Sequence, residues 1–224
     1  MRSCIIECKS VSKFYGNKDH QVKAVDAVNL GIAKNEILLI HGRSGAGKST
    51  LLSLMSGLEK PTTGKILLYD KDISSMQDHE LSELLSHKVG IIFQDFNLLP
   101  RYTVYENIEV ALEPSGMKRN RQRDIILDVL KKLQLEDKTY SPAYELSIGQ
   151  QQKVAIARTL AKRPGIIFAD EPTGSVDELT AGEIIQYLLL LKKEENMTMI
   201  IASHGSFPSG YADRIITMEN GRLL

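Results

Sequence analysis

Apolar positions recur along this chain with two periods. Between residues 3 and 40 they come in short bursts, Ile5-Ile6, Val22 to Val25, Ala27 to Ile32 and Ile37 to Ile40, broken at Gly16-Asn17 and Lys34-Asn35. That spacing predicts short strands forming an antiparallel layer. Ile37 to Ile40 is apolar throughout and reads as a buried strand, with Ser49 to Met55 beyond it as the start of a helix. Two more β-rich stretches follow at Gly64 to Tyr69 and Val89 to Phe93. From Asp95 to about Lys162 the period becomes helical, with Ile125, Ile126, Val129, Leu130 and Leu133 at helical spacing and Pro100, Pro114 and Pro142 at the breaks. Strand and helix then alternate through Ile166 to Ala169, Ala181 to Lys192, Met197 to Ala202 and Arg214 to Met218, the pattern of a parallel sheet wrapped by helices. The expected fold is α/β: a mostly parallel sheet, an antiparallel β layer, and a helical subdomain inserted at about 95–162. No internal repeat is present, so residues 1–224 should form one domain.

The segment between the buried strand and the first helix carries chemistry. Gly42-Arg43-Ser44-Gly45-Ala46-Gly47-Lys48-Ser49-Thr50 fits G-x-x-x-x-G-K-[ST], the Walker A pattern, in the strand–loop–helix setting that a phosphate-binding loop requires. Backbone N–H groups and the positive end of a helix dipole would converge there on β- and γ-phosphates. Lys48 adds a mobile positive charge, and the Ser49 hydroxyl can ligate Mg²⁺. The fold class is thus a P-loop NTPase core.

Composition adds exclusions. The 28 basic residues balance 28 acidic ones, which argues against a broad nucleic-acid footprint, and only Met117 to Arg123 is locally basic. With 42% hydrophobic residues and no apolar run near the ~20 residues of a membrane span, the chain is expected to be soluble and cytoplasmic. Cys4 and Cys8 are the only cysteines; four apart on the first strand, they should face the same side and read as small buried apolar side chains rather than zinc ligands or a disulfide.

Two further motifs follow. Ile166 to Ala169 is an apolar strand ending in Asp170-Glu171, which puts two carboxylates at the carboxyl end of a parallel strand, where open sheets bind ligands. Asp170 can hold Mg²⁺ through water, and Glu171 can orient or deprotonate a water attacking a γ-phosphate. Leu146-Ser147-Ile148-Gly149-Gln150 opens a helix expected at Gln151 to Ala161, with Ser147 as N-cap and its hydroxyl free for an anion. Alone, this last motif reads more readily as an ordinary capped helix than as an anion site.

The order of these motifs, with Gln94 after Ile91-Ile92-Phe93 and His204 after Met199 to Ser203, resembles the ATP-binding subunit of ABC transporters over essentially the whole chain. Within that family the chain is most similar to the group of the lipoprotein-releasing ATPase LolD, the macrolide exporter MacB and the cell-division ATPase FtsE. The resemblance rests on Val22 to Val25, Phe93-Gln94-Asp95-Phe96-Asn97-Leu98-Leu99-Pro100, Glu106-Asn107, Val154 to Arg158 and Ala169 to Gly174. It implies Mg-ATP hydrolysis in a sandwich of two chains, a homodimer or a pair with a similar ATPase. It also implies an integral membrane permease partner, and so a peripheral place on the cytoplasmic face of the inner membrane.

The resemblance assigns roles as well. Tyr15 would stack on adenine, Gln94 would sense Mg²⁺ and the attacking water, and His204 would hold the γ-phosphate and link to Glu171. Asp177 would lie in the dimer loop, and Ser147, Gly149 and Gln150 would contact the ATP of the other subunit. Three departures stand out: Ile148 where the family has glycine, Lys153 where arginine is usual, and Gly205 where aspartate is common. DNA-maintenance ATPases of the Rad50 or SMC type share the motifs, but they need a long coiled coil that the insert has no room for. Translation-associated ABC-F proteins need two nucleotide domains.

Overall fold

The computed structural model describes residues 4–17 and 20–224; the first residue of the strand-rich stretch, at 3, lies outside them. In chain order the first half holds β1 (Cys4–Tyr15), β2 (Val22–Ala33), β3 (Ile37–His41), α1 (Lys48–Met55), β4 (Thr63–Leu68), β5 (Lys71–Asp72), α2 (Asp78–Lys88) and β6 (Val89–Ile92). Then come α3 (Val104–Leu112), α4 (Arg119–Lys132), α5 (Ile148–Leu160), β7 (Ile166–Asp170), α6 (Glu178–Glu195), β8 (Thr198–Ser203), β9 (Arg214–Glu219) and β10 (Arg222–Leu223).

The strands form two sheets. One is antiparallel, in the order β2-β1-β4-β5, with the long β1–β2 hairpin paired from Cys4↔Ala33 to Tyr15↔Val22 through several register shifts. The other runs β10-β9-β3-β8-β7-β6, parallel except for the β10 edge. This corrects one expectation. Ile37 to Ile40 does not belong to the antiparallel layer but lies inside the parallel sheet, between β8 and β9. Its continuous apolar run has that cause, since a strand covered on both faces has no polar side.

Strand alternation divides the core in two. Ile37 and Leu39, Ile167 and Ala169, Met199 and Ile201 face the helical side, where they pack with α3, α4, α5 and α6. Leu38 and Ile40, Ile166 and Phe168, Ile200 and Ala202 face the other way, onto α1, α2 and the antiparallel sheet. The expected helical insert thus shares its core with the parallel sheet. It is also tied to β6 by hydrogen bonds: Thr159 Oγ1 donates to the Ile91 carbonyl and Lys162 Nζ to that of Val89.

Of the residues that carried the resemblance, Glu106 and Asn107 act within the fold. Glu106 closes a capping box with Thr103 at the start of α3. Asn107, buried, accepts from Leu99 N–H and donates to the carbonyls of Leu99, Tyr102 and Thr103, fixing the loop that follows Gln94. Both cysteines are free, but only Cys8 is buried as expected, its thiol pushed up by burial to about 12, where it is inert; Cys4, at the first position of β1, is exposed.

Candidate functional site

Because β3, β6, β7 and β8 are parallel, their carboxyl ends lie on one edge of the sheet, and the segment after each reaches the same place. After β3 comes the phosphate loop, after β6 Gln94, after β7 Glu171, and after β8 His204. All of them line one cavity of about 810 Å³, together with Asp170.

The phosphate loop is shaped by close packing. Gly47, the N-cap of α1, has φ +102, and a Cβ there would overlap the Ala24 carbonyl oxygen. Lys48 is buried, its Nζ donating to the carbonyls of Gly42 at 2.8 Å and Arg43 at 3.1 Å. Arg43, Ser44, Gly45, Ser49 and Thr50 line the cavity, while Ala46 is buried behind it. The β9–β10 turn braces the loop from outside: Gly221 N–H donates to the Ala46 carbonyl, and Gly221's own carbonyl accepts from Asp26 N–H on β2. Arg222 on β10 then clamps Asp26, holding that carboxyl below the usual carboxylate range.

Parity along β7 decides the second acidic motif. Asp170, in phase with Ile166 and Phe168, faces α1, with Ser49 beside its carboxyl group. Burial pushes its carboxyl above the usual range. Its Oδ1 is the one buried side-chain oxygen or nitrogen among the described residues without a hydrogen-bond partner. Beside a hydroxyl and a phosphate loop, such an orphaned carboxylate oxygen fits a hydrated divalent cation.

Glu171 has left-handed φ of +47 and is only 8% exposed. Its N–H donates to the Ala202 carbonyl, its carbonyl accepts from Gly174 N–H, and His204 Nδ1 lies 2.7 Å from Oε1. The His204 side chain is 62% exposed. Ser206, which the sequence reading did not single out, donates to Glu171 Oε2 at 3.2 Å.

The remaining expected residues lie elsewhere. Ser147, Gly149 and Gln150 share a separate cleft of about 330 Å³ with Asp177, and Ser175 lines both this cleft and the larger cavity. The Ser147 hydroxyl is not free as expected: it accepts from Gln150 N–H while the Gln150 side chain accepts from Ser147 N–H, a capping box that still leaves the hydroxyl its own proton to donate. The helix begins at Ile148, three residues earlier than its expected start, and Ile148 has no positive φ. Asp177 caps α6 by accepting from Thr180. Lys153, in place of an arginine, pairs with Glu183 at 2.6 Å. Tyr15 does not line the cavity; its hydroxyl bonds Glu59 at 2.5 Å and also meets Thr50 of α1, with Lys13 over one ring face.

A family profile described as ABC transporter matches residues 25–174, from the second strand through both acidic residues. The chain belongs to the ABC transporter family. It is 38% identical over 224 residues to the ABC transporter ATP-binding protein MJ0796 of Methanocaldococcus jannaschii, covering 98% of this chain and 95% of that one. It is 41% identical over 187 residues to the ABC transporter ATP-binding protein YtrE of Bacillus subtilis, covering 84% and 81%. A dimeric structure of MJ0796, in a post-hydrolysis state bound to ADP and Pi, superposes with a TM-score of 0.92 at 36% identity over 97% of this chain and 96% of that one. CbiO1 of Clostridium perfringens, part of the transporter complex cbiONQ, gives 0.86 at 30% identity over 100% and 88%. This ABC chain is therefore an ATP-binding ATPase subunit, and no helix among its described residues is long and apolar enough to cross a membrane.

Proposed function

We propose that two copies of this chain, or one copy and a similar ATPase, close around two Mg-ATP and drive an integral membrane permease from the cytoplasmic face of the membrane. The observation that carries the reading is the division of the machinery between two surfaces. The phosphate loop, Gln94, Asp170, Glu171 and His204 meet in one cavity, while Ser147, Gly149 and Gln150 sit with Asp177 in another, so one copy supplies half of each site. The dimeric MJ0796 cassettes and the membership of CbiO1 in a transporter complex support the same arrangement. The sequence resemblance of this chain to the lipoprotein-releasing and macrolide-exporting ATPases supports cargo of that type.

Roles follow from chemistry. The phosphate-loop N–H groups and Lys48 neutralise the β- and γ-phosphates, and Tyr15 offers its open ring face to adenine beside α1. Mg²⁺, held by Ser49, by Asp170 through water, and by Gln94, would supply charge neutralisation on the phosphate oxygens. Glu171 accepts a proton from the water that attacks the γ-phosphorus, the bond to the bridging oxygen breaks, and ADP and phosphate leave. His204 Nδ1–H donates to Glu171, so Nε2 can donate to the γ-phosphate only from the doubly protonated ring. Ser147 and the α5 N-terminus complete the partner's site as an anion-binding helix start.

Glu171→Gln tests this. The amide keeps the shape but takes up no proton, so steady-state hydrolysis should fall at least ~100-fold while ATP still binds. Size-exclusion chromatography with ATP and Mg²⁺ should then show a trapped dimer. Retained turnover would remove Glu171 from its role, and a chain that stays monomeric would remove the sandwich.

A further inference from the structure

We propose that Ser206 is a positioning residue for ATP hydrolysis: its hydroxyl holds Oε2 of Glu171 while His204 holds Oε1, so that the carboxylate cannot turn away from the water. The inference rests on Glu171 acting on that water.

The main chain at Glu171 is already fixed, by its hydrogen bonds to Ala202 and Gly174. What is left is side-chain rotation, and the last bond of a glutamate is the loosest, broad and roughly two-fold. A hold on one oxygen alone limits that rotation weakly, and the His204 that supplies it is largely exposed and faces the substrate cavity with its remaining nitrogen. Ser206 supplies the second hold from the protein side, at 3.2 Å.

Ser206 is in turn fixed, and the direction of its proton is forced. Ser203 is wholly buried, and its Oγ accepts from both Gly205 N–H and Phe207 N–H. With its acceptor sites used, the Ser203 proton goes to Ser206 Oγ, 3.0 Å away. Ser206 accepts it and points its own proton at the carboxylate. Two backbone amides, Ser203 and Ser206 thus form one directed chain ending on Glu171, each link polarising the next. The Ser206 carbonyl is pinned as well, by Thr173 Oγ1 at 3.2 Å.

The turn that makes this possible needs φ of +136 at Gly205, a conformation that a side chain rarely adopts. The glycine that stands where the family commonly has aspartate is therefore what brings Ser206 under the catalytic carboxylate.

The experiment compares the full chain with Ser206→Ala and Ser206→Thr in Mg-ATP saturation kinetics, nucleotide binding and thermal melting. Loss of a hydrogen bond to a charged group should lower kcat about tenfold in Ser206→Ala, with KM and ATP affinity within about twofold. The threonine hydroxyl should restore kcat to within about threefold of the parent. Ser206→Ala only removes an atom, so it folds, and its split between kcat and KM decides the matter. An unchanged kcat, a loss carried by KM, or a threonine no better than alanine overturns the proposal. Glu171→Gln runs alongside. If it is inactive while Ser206→Ala turns over normally, only the role of Ser206 fails; if Glu171→Gln turns over, the role of Glu171 fails first.

Discussion

Ile148 sits in the first turn of α5 with a branched, 57% exposed side chain beside the serine that caps the helix. A glycine is usual at this position in the family, and a positive φ would have made isoleucine a source of strain. The backbone is instead right-handed, which a β-branched residue accepts, and the Ile148 N–H points out of the helix start as glycine's would. Ile148→Gly is therefore expected to change turnover less than about threefold, while costing up to ~1 kcal/mol of helix stability. ATPase assays and melting of the two chains check this, and a tenfold gain for glycine would show that isoleucine impedes the site. Residues of this kind differ in how far the sequence discloses them. The phosphate loop could be read because close approach demands glycine at fixed spacing, and the Gly47 backbone lies against Ala24 as that demand implies. Ser206 could not, because its role depends on a turn at Gly205 and on which of two serines donates. The one available signal was a cluster of hydroxyls directly after a strand.

Among the elements, α5 does the most. At its start it presents Ser147, and along its length Gln152 donates to the Pro172 carbonyl just past Glu171. Near its end Arg158 forks to the carbonyls of Phe96 at 2.9 Å and Asn97 at 2.6 Å, in the loop that follows Gln94. Burial holds the Arg158 guanidinium below its usual range, yet the charge remains and its two carbonyl partners compensate it. Arg158→Ala should leave both carbonyls without this donor and make local opening of residues 93–98 at least ~10-fold more frequent. Amide hydrogen exchange in that segment reads the effect directly, and unaltered protection would show the fork to be idle. The strands and long helices were legible from their apolar periods, but α2 was not. Of its eleven residues only Leu81 is buried, too weak a stripe to stand out from a polar loop. β10 was missed because a two-residue strand has no period; Asn220-Gly221 between Met218 and Leu223 was its turn signal. β3 was recognised as a strand but given to the wrong sheet, since periodicity tells which faces are covered and not which strand lies alongside.

At the scale of the whole molecule, the separation of the two half-sites makes a mixing experiment informative. A Lys48→Ala chain has a damaged phosphate loop and an intact Ser147 motif, and a Ser147→Arg chain has the reverse. Each alone should be inactive. Mixed in equal amounts, half of the dimers carry one of each, and in these one of the two sites is wholly intact, so about a quarter of full activity should return if the sites work independently. An inactive mixture that still forms dimers would show that the two motifs do not meet across the interface. The brace between the β9–β10 turn and the phosphate loop has a separate consequence, for protein synthesis. Gly221 joins Ala46 to Asp26, and Met218 packs behind Gly42 and Gly47, so strands made well after the phosphate loop hold it in place. A nascent chain still on the ribosome and short of residue 221 has its Walker A sequence but not that wall, and the ability to grip nucleotide is expected to arrive only as β9 and β10 emerge.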